Sequence, residues 1–298
     1  MLAGASLTLS RLGLIVHEWI GHGGTAVALG GTVTGGRLFW FAGGWIRYRL
    51  PSPGAAATLA VALGGIAIET VLGLALWVAL GSRTDLGGRI VRTAGAALLV
   101  HAMFYLAIGT WHGYGDGRVV RELAGDARVP VAIAAGAAAC AAGWAGARHL
   151  FGALRAAVPG RPLAGPLLAI AVAAAINAGL DLGELRLRRD TTYSVIMQPE
   201  RERVVARELA RWQRAQPEPV SAAERTARQR ALSDEHRELP FGWLLGAALA
   251  GALVAGAAQS ATPATPARPA GRLVALACGA AVIATAVVIA VDAGVLAT

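Results

Sequence analysis

Long apolar segments alternate with short polar ones along most of the chain. Seven of the apolar segments reach about 18 or more residues with few charges, the length that a helix needs to cross a ~30 Å hydrocarbon core. They run over residues 3–29, 54–81, 91–111, 129–148, 163–183, 241–258 and 272–296. The pattern predicts an all-α polytopic membrane protein with about seven transmembrane helices.

The first apolar segment also has features of a signal peptide, since it starts at Met1 and has Arg11 ahead of an apolar stretch. A cleavable hydrophobic region is only about 7 to 15 residues long. It does not carry two histidines and a glutamate, as residues 17–22 do here. We therefore interpret this segment as a transmembrane span.

Composition and charge narrow the class of protein further. The chain is 55% hydrophobic with a mean hydropathy of +0.54, well above a soluble domain. All 27 basic residues are arginine, and twelve of them lie in residues 185–240, interleaved with Glu and Asp. This mixture is typical of a solvated helix, so we do not expect nucleic-acid binding. The loops on one side of the predicted bundle hold 18 arginines and those on the other hold seven, which favours an external N-terminus.

The sequence "LIVHEWIGHGGTAV", residues 14–27, places three ionisable side chains inside the first span. Such residues are costly in a membrane and indicate a functional site. The familiar zinc-helix motif is H-E-x-x-H, whereas this chain reads H-E-x-x-x-H. In a regular α-helix His17 and His22 would point about 140° apart. A π-bulge would bring them back to one face, and Gly21 makes such a distortion inexpensive.

Other ionisable residues lie within or beside the predicted spans. We expect Glu69 and His101 either to pair with each other or to bond to a backbone carbonyl, as an interhelical contact. Asp181 and Asp292 lie near span ends, where snorkelling or helix capping is the usual role. Asp116, in "GTWHGYGDGRVV" at residues 109–120, lies between two glycines at a predicted membrane boundary.

These motifs carry a resemblance to the site-2 protease family of intramembrane zinc metalloproteases. HEWIGH is also similar to the six-residue HELLGH zinc motif of dipeptidyl peptidase III. In the site-2 protease family a His-Glu-x-x-His helix is followed about a hundred residues later by an Asp-Gly motif. Here Asp116-Gly117 follows His17 by 99 residues. The resemblance implies that His17, His22 and Asp116 bind zinc and that Glu18 is the catalytic base.

The hydropathy pattern, together with the resemblance over residues 10–125, predicts an organisation and a biological setting. Residues 1–128 would form a three-helix metalloprotease-like core, 129–184 two further transmembrane helices, 185–240 a polar amphipathic segment, and 241–298 two C-terminal transmembrane helices. The protein would be a multi-pass protein of a cell membrane, such as the bacterial plasma membrane. It would cleave a transmembrane substrate protein. Non-proteolytic metal binding, transport or a scaffold role remains the alternative.

Two further points stay open in the sequence. The stretch "NAGLDLGEL", residues 177–185, makes Asp181 a rival to Asp116 as the third zinc ligand. Residues 32–50 predict a short interfacial β-hairpin, because aromatic and β-branched residues flank Gly43-Gly44. The family resemblance implies that this hairpin pairs with an extended substrate, whereas an aromatic anchor at the membrane surface is the simpler role.

The polar segment 185–240 has its own helical pattern. Val204, Val205, Leu209 and Trp212 have the spacing of an amphipathic helix, which would lie on the membrane or against a partner. Pro217 and Pro219 should end that helix.

Overall fold

A computed structural model describes residues 2–79, 85–157, 164–260 and 271–296. The chain is mostly helical with one small two-stranded sheet, so the predicted helical class and the hairpin are both confirmed. The elements in chain order are α1 Leu2–Ile15, a π-helix Val16–Gly23, α2 Gly24–Ala28, β1 Thr32–Leu38, β2 Gly44–Arg49, α3 Ala55–Ala79, α4 Leu86–His112, α5 Gly115–Ala124, a 3₁₀ turn Gly125–Ala127, α6 Arg128–Ala157, α7 Ala164–Arg188, α8 Thr191–Ile196, α9 Glu200–Ala215, α10 Ala222–Glu235, α11 Phe241–Ala258 and α12 Gly271–Leu296.

Four helical stretches in the described part of the chain are long and apolar enough to cross a membrane. They are Ala55–Ala79, Gly87–His112, Gly115–Arg155 and Phe241–Ala258, and α12 adds a shorter apolar helix at Gly279–Ala293. The first predicted span does not qualify, because α1 has 14 residues and then gives way to the π-helix. The predicted spans at 54–81 and 163–183 also include residues outside the described ranges. The structure thus supports four spans, and the full set of seven stays a prediction.

The β-hairpin is antiparallel, with Thr32 opposite Arg49 at its open end and Leu38 opposite Gly44 near its tip. The Phe39 N–H donates to the Gly43 carbonyl at 3.0 Å and closes the turn. The register is irregular between Val33 and Gly35. This segment therefore forms the strands that its aromatic and β-branched residues predict.

Charged side chains from two helices hold the hairpin tip. The Glu184 carboxylate on α7 accepts hydrogen bonds from the backbone N–H groups of Trp40, Phe41 and Ala42 at 2.5 to 3.0 Å. Arg11 on α1 donates to the carbonyls of Phe39 and Ala42 at 3.0 and 2.8 Å. Every one of these bonds joins residues that are at least 28 positions apart. The tip is thus fixed to the helices rather than free in solution.

Asp292 has a different role from the one that its position suggests. Its carboxylate accepts a hydrogen bond from the Leu38 N–H at 3.0 Å and pairs with Arg188 at 3.0 Å. Arg188 also pairs with Glu184 at 2.9 Å. Asp292 is buried among these groups, so it neither snorkels to the surface nor caps a helix. Its charge is instead balanced by an arginine and helps to anchor the end of β1.

The polar segment folds back on itself as a pair of helices. Val205 and Leu209 on α9 pack against Leu232 on α10, with Trp212 at the edge of this cluster. The two helices are separated after Ala215 by the predicted proline break, and α10 starts with a capping box. The predicted amphipathic helix is present. Val205 and Leu209 on its apolar face are buried against α10.

Three predicted loops meet on one face of the molecule. The Arg203 side chain on α9 donates to the Gly113 carbonyl at 2.7 Å, and Glu238 contacts His112 at 3.1 Å. Arg37 on the hairpin pairs with Asp190 at 3.1 Å. These contacts join the predicted loops 30–53, 112–128 and 184–240, which hold the 18 arginines counted on one side of the bundle. The side of the membrane on which these loops lie stays a prediction.

Candidate metal centre

The helix that carries the H-E-x-x-x-H motif is a π-helix over Val16–Gly23. Hydrogen bonds in a π-helix run from residue i to i+5, so residues five apart lie one turn apart on a common face. His17 and His22 have this separation, and their ring centroids are 4.8 Å apart. Both side chains are buried. The extra residue in the motif is therefore accommodated by the helix type.

Glycines allow α3 to approach the π-helix closely. A Cβ at Gly21 would clash with the Gly65 backbone, and a Cβ at Gly64 would lie 2.5 Å from the Gly21 carbonyl oxygen. Small residues at such a crossing let two helix backbones come into contact. The same contact brings α3 side chains and carbonyls against the two histidines.

Asp116 completes a cluster with the two histidines. Its Oδ2 atom is 3.0 Å from His17 Nε2 and 3.2 Å from His22 Nε2. Nitrogen and oxygen atoms from all three side chains lie within 4.8 Å of one another. The Asp116 side chain is 17% exposed, more than either histidine. The cluster is thus enclosed, with its more accessible side at the carboxylate.

The backbone around Asp116 depends on three glycines. Gly113 has φ +70° and ends α4, and Gly115 has φ +52°, a left-handed region that other residues rarely adopt. A Cβ at Gly115 would also clash with the Tyr105 hydroxyl. Gly117 packs directly on the α4 backbone at Gly109. These glycines turn the chain sharply from α4 into α5, which directs Asp116 back toward the π-helix.

Two groups on α3 contact the outer nitrogens of the histidine rings. His22 Nδ1 lies 2.7 Å from the Val61 carbonyl oxygen, which only accepts, so Nδ1 carries the hydrogen and Nε2 is free to bind a metal. His17 Nδ1 lies 3.3 Å from Glu69 Oε2. The sequence pattern did not predict the contact between Glu69 and His17. The spacing of residues 61, 65 and 69 could have indicated it, because residues four apart share one helix face.

Glu18 lies beside this cluster and is buried. An added Cβ at Gly44 would lie 3.3 Å from Glu18 Cγ, so the glutamate side chain lies close to the first residue of β2. Among the described residues, the group close enough to share one ion consists of His17, His22 and Asp116, without Glu18. This arrangement suits a base that acts next to a metal rather than as a ligand.

These three side chains could together hold a metal ion, and they are of the types found in catalytic zinc sites. Such sites use three nitrogen or oxygen ligands from His, Asp or Glu and leave a fourth position open. In a tetrahedron with bonds of about 2.1 Å the ligand atoms lie roughly 3.4 Å apart, close to the two distances at Asp116. Asp181 is not part of the cluster and interacts instead with Arg11. Of the two candidate acids, the structure brings only Asp116 to the histidines.

Gly65 should be essential for this arrangement, because a Cβ there would lie 2.6 Å from His17 Nε2. We expect Gly65→Ala to displace the imidazole and lower zinc affinity by roughly 10- to 100-fold, as for other changes behind a zinc ligand. Titration of the purified protein against a zinc-sensitive dye measures this. Gly73→Ala is the matched control, since its Cβ would press on Gly95 of α4 at 2.8 Å and not on the site. Equal zinc affinity in both variants would contradict the role of Gly65.

No protein-family model matches the chain, and searches of the curated proteins and of the solved structures return no match either. A function for this chain is therefore inferred from the cluster of His17, His22 and Asp116 and from the groups around it.

Proposed function

We propose that this protein is an intramembrane zinc metalloprotease. It hydrolyses a peptide bond in or near a transmembrane helix of a membrane-protein substrate. His17, His22 and Asp116 hold the metal, and Glu18 is the general base. The protein is a multi-pass protein of a cell membrane, with the predicted seven spans around a core formed by residues 1–128.

One observation carries the proposal: two imidazole Nε2 atoms converge on one carboxylate oxygen, with a buried glutamate one residue after the first histidine. Buried ionisable groups are expensive in apolar surroundings and are usually functional there. Four of them within one small volume require either a bound cation or full mutual pairing. The π-helix supports the first explanation, because π-helical turns occur frequently at functional sites.

The chemistry follows from what each residue offers. Zinc bound by these ligands would lower the pKa of a water molecule and polarise the scissile carbonyl group. Glu18 accepts the proton of the attacking water and later donates it to the nitrogen of the leaving amine. The burial of Glu18 keeps competing bulk water away from this proton transfer. His22 stays in one tautomer because the Val61 carbonyl holds its Nδ1 hydrogen.

The position of the hairpin supports an extended substrate. The amide groups of a helical substrate are shielded by their own hydrogen bonds, so the substrate must unwind before cleavage. Glu18 lies close to Gly44 at the start of β2, and we propose that the substrate chain lies along that strand, beside the catalytic base. Strand addition to a sheet edge is a known way to hold a peptide extended. The anchored tip at residues 39–43 keeps this edge in place.

A non-proteolytic metal-binding, transport or scaffold protein is the second candidate. The observation in its favour is that Asp116 already lies within ion-pair distance of both histidines. Such a triad can balance its own charge without a metal. Measurements of bound zinc and of cleavage separate the two candidates.

We expect the purified wild-type protein to hold about one zinc ion per chain and His17→Ala and His22→Ala to hold almost none, because a catalytic zinc site needs three protein ligands. Elemental analysis after dialysis measures this. His149→Ala is the matched control, since His149 packs on Trp77 away from the cluster.

In the same preparations, a fluorescently labelled single-span protein in liposomes should be cleaved by the wild-type protein, and the cleavage should stop after zinc is removed by a chelator. Zinc binding without cleavage of any such substrate would favour the second candidate.

A further inference from the structure

We propose that Glu69 is a positioning residue for the metal centre: its carboxylate holds the Nδ1 side of His17 so that Nε2 faces the ion. The inference rests on the proposed zinc site and adds a residue of α3 to it. Glu69 is 1% exposed and lies in the middle of a helix long enough to cross a membrane. A carboxylate in that place needs strong partners.

Glu69 has two histidine partners in different elements. His17 Nδ1 on the π-helix is 3.3 Å from Oε2, and His101 Nδ1 on α4 is 2.9 Å from the same oxygen. The His101 side chain is 62% exposed, whereas His17 is buried at 6%. Pairing with an exposed histidine does not require the carboxylate to be enclosed. The buried position of Glu69 is explained by the contact with His17.

The two nitrogens of His17 face opposite partners. Nε2 is directed to Asp116 at 3.0 Å, and Nδ1 is directed to Glu69. A metal-binding histidine commonly donates its second N–H to a carboxylate or carbonyl, which fixes both the tautomer and the ring orientation. The 3.3 Å contact is longer than an ideal hydrogen bond. His17 Nδ1 is buried and makes no hydrogen bond within the described part of the chain, with Glu69 Oε2 facing it at 3.3 Å.

The other histidine has an equivalent support from the same helix. The Val61 carbonyl accepts from His22 Nδ1, and Gly65 leaves room for the His17 ring. Val61, Gly65 and Glu69 are spaced by four residues and form one stripe along α3. One face of α3 is therefore shaped to hold both rings. Glu69 is the charged member of that stripe.

The competing role for Glu69 is a simple contact between α3 and α4 through His101. The two roles make different predictions, because the His101 contact can be removed while the His17 contact stays. Glu69→Gln keeps the size of the side chain and an accepting oxygen but removes the negative charge. His101→Ala removes the interhelical pair and leaves the carboxylate facing His17. Both variants disrupt the α3–α4 contact, the first by removing the charge of Glu69 and the second by removing the imidazole of His101, so a role confined to that contact would affect them similarly.

The experiment uses the full-length protein purified in detergent. Zinc affinity is measured by competition with a chromophoric chelator, and the cobalt-loaded protein is examined by its visible absorption, which reports ligand geometry. We expect Glu69→Gln to weaken zinc binding about 10- to 100-fold and to change the cobalt spectrum, as outer-shell substitutions do. His101→Ala should remain close to wild type in both measurements. Thermal unfolding of the metal-free proteins should show a similar loss of stability in the two variants.

The outcomes are distinguishable. The inference is overturned if Glu69→Gln matches wild type in zinc affinity and cobalt spectrum, or if His101→Ala changes both as much as Glu69→Gln does. If Glu69→Gln does not fold, Glu69→Asp keeps the charge but shortens the reach, and an unchanged cobalt spectrum in that variant would equally overturn the inference. A wild-type protein that binds neither zinc nor cobalt would instead overturn the proposed metal centre itself.

Discussion

Replacing Glu18 by glutamine is expected to leave zinc bound while reducing cleavage by about 10²- to 10⁴-fold, the usual contribution of a general base. Glutamine has nearly the same size and cannot accept a proton. Glu18 is not within the group of atoms that could share one ion, so its removal should not release the metal. Bound zinc per chain and the rate of substrate cleavage, measured on the same preparation, test both parts of this expectation.

Glu122→Gln is the matched control for this substitution. Glu122 is an exposed residue on α5 that pairs with Arg118 at 2.7 Å, so the variant makes the same chemical change outside the site. Its cleavage rate should equal that of wild type. A Glu18→Gln protein that loses its zinc would show that Glu18 is a ligand. One that cleaves at the wild-type rate would remove Glu18 from the mechanism.

The local part of the candidate site was predictable from the sequence. His22 follows His17 by five positions, and a helix with about one extra residue per turn brings them to one face. Gly21 signalled where such a helix could form, and the π-helix spans that position. The hairpin at residues 32–50 was predictable for the same reason, since strand propensity and a Gly-Gly turn are properties of neighbouring residues. Both features are formed by residues close together in the sequence, so local patterns predict them.

The long-range contacts were not predictable, because they depend on how helices pack. Glu184 reaches the hairpin tip across more than 140 residues, and Asp292 reaches Leu38 across 254. From its neighbours alone Asp292 was expected to snorkel or to cap a helix, and nothing in the sequence around Glu184 indicated its contact. The contact of Glu69 with His17 is of the same kind, since it depends on the close approach of α3 to Gly21. A single sequence gives the spacing on each helix but not which faces meet.

The choice between Asp116 and Asp181 was only partly predictable from the sequence. The family resemblance favoured Asp116 by its distance along the chain, and Asp181 had a comparable local motif. In the structure Asp116 Oδ2 is within 3.2 Å of both histidines, while Asp181 on α7 interacts with Arg11. We therefore expect Asp116→Ala to lose both zinc and cleavage, because two histidines alone do not form a catalytic zinc site. Asp181→Ala should keep its zinc and most of its activity.

Two further variants make this comparison sharper. Asp116→Asn keeps the shape of the side chain, so a protein that folds normally but binds zinc weakly would assign the loss to the missing charge and not to the packing around Gly115 and Gly117. Asp181→Asn is the matched change on α7, and elemental analysis with the cleavage assay measures all four proteins. Retained zinc in Asp116→Ala together with lost zinc in Asp181→Ala would contradict the site described here. That result would require α7 to approach the π-helix. The Glu184 carboxylate of the same helix holds the hairpin tip through the N–H groups of Trp40, Phe41 and Ala42, so the hairpin would have to move together with α7.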